Sequence, residues 1–329
     1  MPGIFSSVSI YYNVCMKHIV LAGPTASGKT ELALALARRM NASVISADSR
    51  QIYQGLTAGT AKPQGTYQDG TYLVENIPYY LVDFLPPEQT FDAASFCARA
   101  EELTASRPEK PFIFAGGTGM YLHAFFVGMD PLPPSDAALR AELTDFAAQQ
   151  GKEALHARLM TKDPLSASQI PAGNVQRVMR ALEITLLAGK PASELKTGRF
   201  FGQFPSDKAL FVYLNWEKEL LNARIETRTA GMLDPMAQET QALLQSGAAP
   251  ECPALKSLGY PQILQWLRGE ITRKETLEKI ITLTRQYAKR QRTWFNRYKN
   301  ALRLDLQKPQ DFDAEKLAEK ICAAYEASF

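Results

Sequence analysis

The stretch Gly23-Pro24-Thr25-Ala26-Ser27-Gly28-Lys29-Thr30 fits G-x-x-x-x-G-K-[ST] at every fixed position. Its glycines let the backbone curl so that successive N–H groups point inward. The helix that follows adds the positive end of its dipole, and Lys29 adds a full charge. This is a grip for a di- or triphosphate, with Thr30 placed to put its hydroxyl on a magnesium ion. The loop reads phosphate geometry and not a nucleoside, so on this motif alone a small-molecule kinase using ATP is the leading expectation. The second candidate is Asp48, just after the apolar run "ASVIS". A carboxylate at the carboxyl end of a parallel strand lies where open α/β sheets bind ligands. It can serve as a general base, as a magnesium ligand, or simply to close an Asx turn.

Both candidates need a scaffold that the local patterns supply. "HIVLAG" is a β-branched run and "TELALALARRM" has helical apolar spacing, so the loop joins a strand to a helix. "ASVIS" and "PFIFAGG" read as further strands, with helices over Phe91 to Ser106 and Thr118 to Val127. Such alternation predicts a P-loop NTPase-like α/β fold, a parallel sheet flanked by helices. The prolines of "MDPLPPSD" break the pattern, and only helical patterns follow until "KALFVYLNW" restores strand character. The expected organisation is a core over 17–133 and 205–329, with an inserted all-helical domain over 134–204. "ALRLDL" is a candidate last strand.

Bulk composition excludes several classes. The chain has 329 residues, 46% apolar, and a formal net charge of only +3, so a nucleic-acid surface must arise from local clustering. The four cysteines are scattered singly, with no C-x-x-C pair, which predicts reduced thiols, a cytoplasmic setting and no zinc site. The three histidines, His18, His123 and His156, are too dispersed for a triad or a metal cluster. No apolar run approaches the ~20 residues that span a bilayer. Residues 1–16 lack the marks of a signal or transit peptide and are expected to be a disordered extension. With no heptad pattern, a monomer is the default expectation.

"DSRQIYQGLTAGTAKP" from Asp48, taken with "GPTASGKT", resembles the tRNA dimethylallyltransferase (tRNA isopentenyltransferase) family. Further landmarks follow in the same order: "GGTGMYLHA", "QRVMRALEI", "RIETR", "LKSLGY" and "TRQYAKRQRTWF". The similarity runs from about Lys17 to Arg303, and without a carboxyl-terminal zinc finger it is to the bacterial type. The resemblance implies that the loop, Gly23 through Thr30, holds the diphosphate of dimethylallyl diphosphate, with Mg2+ on Thr30. The bond broken would be carbon to oxygen. It implies Asp48 as general base on the N6 amine of the adenosine 3′ of the anticodon, with Thr118 and Arg228 on the departing diphosphate. It also implies tRNA contacts from Asp48, Ser49, Arg50, Gln51, Thr118, Arg140, the Gln176-Arg177-Val178-Met179-Arg180 run, Lys256, Gly259, Tyr260, Arg285, Lys289 and Arg290.

Local charge agrees with an RNA partner. From Thr272 to Arg303 there are ten cations and two acids, an excess of eight, interleaved with Tyr287, Trp294, Phe295 and Tyr298. Those aromatics are expected to pack in the core. Thr118 has an alternative as a helix N-cap, and Arg224 and Arg228, four apart, as surface arginines. The chain departs from the family pattern at Pro235 and Met236, and at Asn174 where an aspartate is common. The rival readings are a P-loop kinase, an adenylate isopentenyltransferase, and a non-catalytic RNA-binding protein.

Overall fold

The computed structural model describes residues 17–198 and 202–328, so the expectation for 1–16 lies outside the described residues. In chain order the strands are β1 (His18–Ala22), β2 (Ser43–Ser46), β3 (Thr66–Gln68), β4 (Thr71–Val74), β5 (Ile77–Tyr80), β6 (Phe112–Gly116), β7 (Ala209–Trp216) and β8 (Leu302–Leu306). The helices are α1 (Lys29–Met40), α2 (Ala93–Ala105), α3 (Gly119–Phe126), α4 (Ala137–Lys162), α5 (Pro164–Gln169), α6 (Val175–Ala188), α7 (Ala192–Leu195), α8 (Lys218–Gln245), α9 (Tyr260–Leu267), α10 (Arg273–Phe295) and α11 (Ala314–Glu326). No helix among the described residues is long and apolar enough to cross a membrane.

One sheet runs β3-β4-β5-β2-β6-β1-β7-β8. Every pairing from β5 to β8 is parallel, and β3–β4–β5 is an antiparallel extension. The central strands are buried along nearly their whole length because helices cover both faces, which is why β1 and β6 are largely apolar and β2 buries even its two serines. The antiparallel extension, not expected from the sequence, alternates instead: β4 and β5 each bury every second residue. Its first turn is Asp69-Gly70, both at positive φ, the turn chemistry of a two-residue hairpin.

The chain divides into two compact units, Val127–Gly202 and the remainder. Among its described residues the first has helices and no strand, with α4 and α6 packed around Leu143, Leu155, Leu159, Val178 and Leu182. Gly151, at φ 86°, kinks α4 into two segments. Phe204 belongs to the α/β unit, where its ring packs on Phe126 at 4.8 Å and Phe211 at 4.7 Å.

Candidate active site

The phosphate loop leaves β1 and enters α1 through Gly28, held at φ 90°, where a Cβ would also collide with the Phe312 ring. Two carbonyls of the loop are bound by side chains that line the same cavity. Arg224 Nε donates to the Ala26 oxygen at 2.8 Å and Trp216 Nε1 to the Ser27 oxygen at 2.9 Å, with the Arg224 guanidinium 4.5 Å over the Trp216 ring. These two bonds fix the peptide planes that follow Ala26 and Ser27. Lys29 Nζ donates to the Pro24 oxygen at 2.8 Å and lies 3.4 Å from Ser27 Oγ. Burial pushes the Lys29 ammonium down to about 8; Asp48 opposes that shift and Arg228 adds to it. The loop and α8 enclose a cavity of about 630 Å³ that includes Asp48, Tyr287 and Gln291.

Asp48 lies in the turn after β2. Its Oδ1 accepts from the backbone N–H of Arg50 at 2.8 Å and of Gln51 at 3.3 Å, so the Asx-turn role is real. Only one carboxylate oxygen is used in this way; Oδ2 accepts from no described residue and is left to the cavity the side chain lines. Thr118 sits in the turn after β6, and its hydroxyl accepts from the Ser49 N–H at 3.0 Å. Beside Tyr287, whose pKa is raised first by burial and next by Asp48, the Thr118 hydroxyl also donates to Ser49 Oγ at 3.3 Å. That hydroxyl therefore ties two strand-end loops together.

Arg228, one helical turn after Arg224 on α8, donates from Nη2 to Thr25 Oγ1 at 2.5 Å, while its Nε is buried without a partner. Burial lowers its pKa, with Asp48 pulling the other way. A buried guanidinium with a free donor is what a bidentate anion would satisfy.

A second cavity of about 440 Å³ is lined by Ser49, Arg50, Lys256, Gly259 and Arg290, together with apolar side chains such as Met232, Ile280 and Leu283. Thr25, Asp48, Arg228 and Tyr287 line both cavities and form the wall between them. The loop over residues 57–59, beside this second cavity, is fixed by Glu239, which accepts from the N–H groups of Thr57 (2.8 Å), Ala58 (2.9 Å) and Gly59 (3.0 Å) and from the Tyr260 hydroxyl.

Several expected RNA contacts lie in the interior. Gln51 is buried, accepting from Ser46 and donating to the Thr60 and Ala61 oxygens. Tyr260 is fully buried on Glu239, because the glycine before it lets the chain turn tightly into α9. Val178 is in the core of the helical unit and Met179 packs against it. Arg140 and Arg180 both bond the buried Glu183. Burial alone would raise the Glu183 pKa, yet the two guanidiniums hold it below the usual range. Arg285 pairs with Glu226. Exposed positions remain at Arg50 and Lys256, at Arg140 beside its bond to Glu183, at Gln176 and Arg177 on α6, and at Lys289 and Arg290 on α10. Sequence reasoning missed Tyr287, Gln291, Trp216 and Glu239 as residues that build the site. The first two stand inside the "TRQYAKRQRTWF" stretch, whose helical spacing of four was the available signal.

A phosphate loop at the end of the central parallel strand β1, with a carboxylate at the end of β2 on the far side of β6, defines a P-loop α/β protein. The chain belongs to the IPP transferase family, whose model matches residues 51–298. It is 52% identical to the tRNA dimethylallyltransferase of Elusimicrobium minutum over 289 residues, 87% of this chain and 94% of that protein. With the tRNA dimethylallyltransferase of Geobacter sulfurreducens it shares 37% over 285 residues, 85% of this chain and 89% of that one. Among solved structures, the full-length tRNA isopentenylpyrophosphate transferase of Bacillus halodurans matches with TM-score 0.64 at 30% identity, covering 95% of this chain and 97% of that one. A eukaryotic dimethylallyltransferase acting on tRNA matches with TM-score 0.72 at 26% identity, covering 95% and 80%.

Proposed function

We propose that this chain transfers the dimethylallyl group of dimethylallyl diphosphate to N6 of the adenosine 3′ of a tRNA anticodon, releasing diphosphate. The observation that carries the reading is the shared wall: Thr25, Asp48, Arg228 and Tyr287 face both the phosphate-loop cavity and the cavity bordered by Arg50, Lys256 and Arg290. A diphosphate in the first and a base entering the second meet at Asp48.

The N6 lone pair is delocalised into the purine ring, so the amine is a weak nucleophile. As N6 bonds to C1 of the allyl group, C1–O breaks and its electron pair leaves with the diphosphate. The N6 proton passes to Asp48 Oδ2, the oxygen not engaged by the turn. A positioned base of this kind contributes roughly 10² to 10⁴ in rate. The inward loop amides, Lys29 and the unpaired Nε of Arg228 receive the charge on the leaving group. Each such donor is worth about 2.7–4 kcal/mol where one has been removed. Thr118 accepts from the Ser49 N–H, and its own proton, given to Ser49 Oγ at 3.3 Å in the free protein, turns to the departing oxygen.

Magnesium fits as an ion carried in with the diphosphate. Among the described residues no three His, Cys, Asp or Glu side chains gather to hold a metal by themselves. Thr30, in the first turn of α1, lines the cavity, and its hydroxyl is the kind of sparse oxygen set that Mg2+ combines with substrate phosphates. When bound, the ion supplies charge neutralisation to the leaving group.

RNA is held by exposed Arg50, Lys256, Lys289 and Arg290 on the α/β unit, and by Gln176 and Arg177 on the helical unit. The target base leaves its stack at a cost of a few kcal/mol, least in an open loop. Mass spectrometry of an unmodified anticodon stem-loop, incubated with magnesium and either dimethylallyl diphosphate or ATP, tests the reading. A five-carbon addition only with the allylic donor, lost in Asp48→Ala, is expected. ATP consumption without RNA modification would restore the kinase reading.

A further inference from the structure

Gln291 lies on α10, the helix that carries the exposed Lys289 and Arg290, but its side chain points the other way and is 5% exposed. Its Oε1 accepts from the Thr25 N–H at 2.8 Å, and its Nε2 donates to the Gly117 oxygen at 2.9 Å. Thr25 is the third residue of the phosphate loop, and Gly117 precedes Thr118. A primary amide is the side chain that can accept from one loop and donate to another at once. Gly117 has no room for a side chain, because a Cβ there would collide with Nε2. Four residues earlier on the same face of α10, Tyr287 lies beside Thr118. Thr25 is held at its other end by Arg228.

We propose that Gln291 is a positioning residue for the allylic diphosphate: by taking the Thr25 amide out of use, it fixes which loop amides remain inward for the phosphates, and it locks that frame to the Gly117–Thr118 turn. It acts on the diphosphate although its helix faces RNA. The inference rests on the proposed reaction for the identity of the ligand.

The test compares wild type with Gln291→Met, which keeps length and burial without the two bonds, and with Gly117→Ala, which displaces the amide from the opposite side. Binding of an unreactive thiolo analogue of dimethylallyl diphosphate is measured by calorimetry, anticodon stem-loop binding by fluorescence anisotropy, and melting temperature alongside. Each variant should weaken analogue binding, and raise the KM for dimethylallyl diphosphate, at least about tenfold, while stem-loop Kd stays within twofold. The double variant should be no weaker than the worse single one. A lowered melting temperature with analogue binding unchanged would overturn the proposal, as would a loss of RNA affinity alone. A wild-type chain that binds the analogue but modifies no RNA would defeat the proposed reaction; weakened analogue binding in the variants would still support the positioning role.

Discussion

Lys29 gives the site a pH dependence whose sign follows from burial. Its ammonium, enclosed by the loop, is pushed down to about 8 from 10.5. Below pH 8 the free enzyme carries the charge that grips the diphosphate; above it that charge is lost until ligand restores it. From pH 7.5 to 9.5 the charged fraction falls from about 0.76 to about 0.03, so affinity for an allylic diphosphate analogue should weaken roughly 25-fold. At pH 9 binding should take up about 0.9 proton. Calorimetry in buffers of different ionisation enthalpy reads both quantities, and a thiolo analogue with magnesium is fully ionised across the window. Lys29→Arg, which keeps its charge, should show a flat profile. Affinity that is level from pH 7.5 to 9.5 with no proton uptake would refute the argument. The same shift acts on stability in the opposite sense. Between pH 8 and 10.5 the unfolded chain binds more protons than the folded one, so the ligand-free protein gains up to about 3 kcal/mol as pH rises through that interval.

Asp48→Asn keeps the turn acceptor but not the base, so single-turnover transfer should fall at least about 100-fold with stem-loop affinity nearly unchanged; transfer within a few-fold of wild type would exclude Asp48 as base. Arg228→Lys keeps charge and loses the planar fork, and kcat/KM for the allylic donor should drop by about 10- to 100-fold, read from initial rates at varied donor. Glu239→Ala strands three backbone N–H groups and the Tyr260 hydroxyl, and denaturant unfolding should show a loss of about 2–3 kcal/mol. Glu183→Ala leaves Arg140 and Arg180 without their carboxylate. Proteolysis should then open the helical unit while analogue binding in the α/β unit is untouched.

The local signals that worked were those whose physics is local. A buried parallel strand is rich in apolar and β-branched residues, which made β1, β2 and β6 legible, while β7 was legible from its alternation and aromatics. The extension β3–β4–β5 was missed because its strands are only three to four residues long and its signal, Asp69-Gly70 at positive φ, is a turn and not a run. Gln51 and Tyr260 carry RNA-binding chemistry on paper, and nothing in their neighbours in sequence reveals that buried partners had already claimed them.

The sequence by itself determined the phosphate loop, the carboxylate at a strand end, the alternation that makes a parallel sheet, and a basic carboxyl-terminal helix. Each is set by the backbone needs of adjacent residues. Tertiary structure alone decided that Thr25, Asp48, Arg228 and Tyr287 stand in one wall with a cavity on either side. It also decided that Thr25 is pinned by Arg228, 203 positions away, and by Gln291, 266 positions away. Hydrogen bonds between strand-end loops depend on which strands become neighbours, and the order β2-β6-β1-β7 brings together turns that the chain itself keeps far apart.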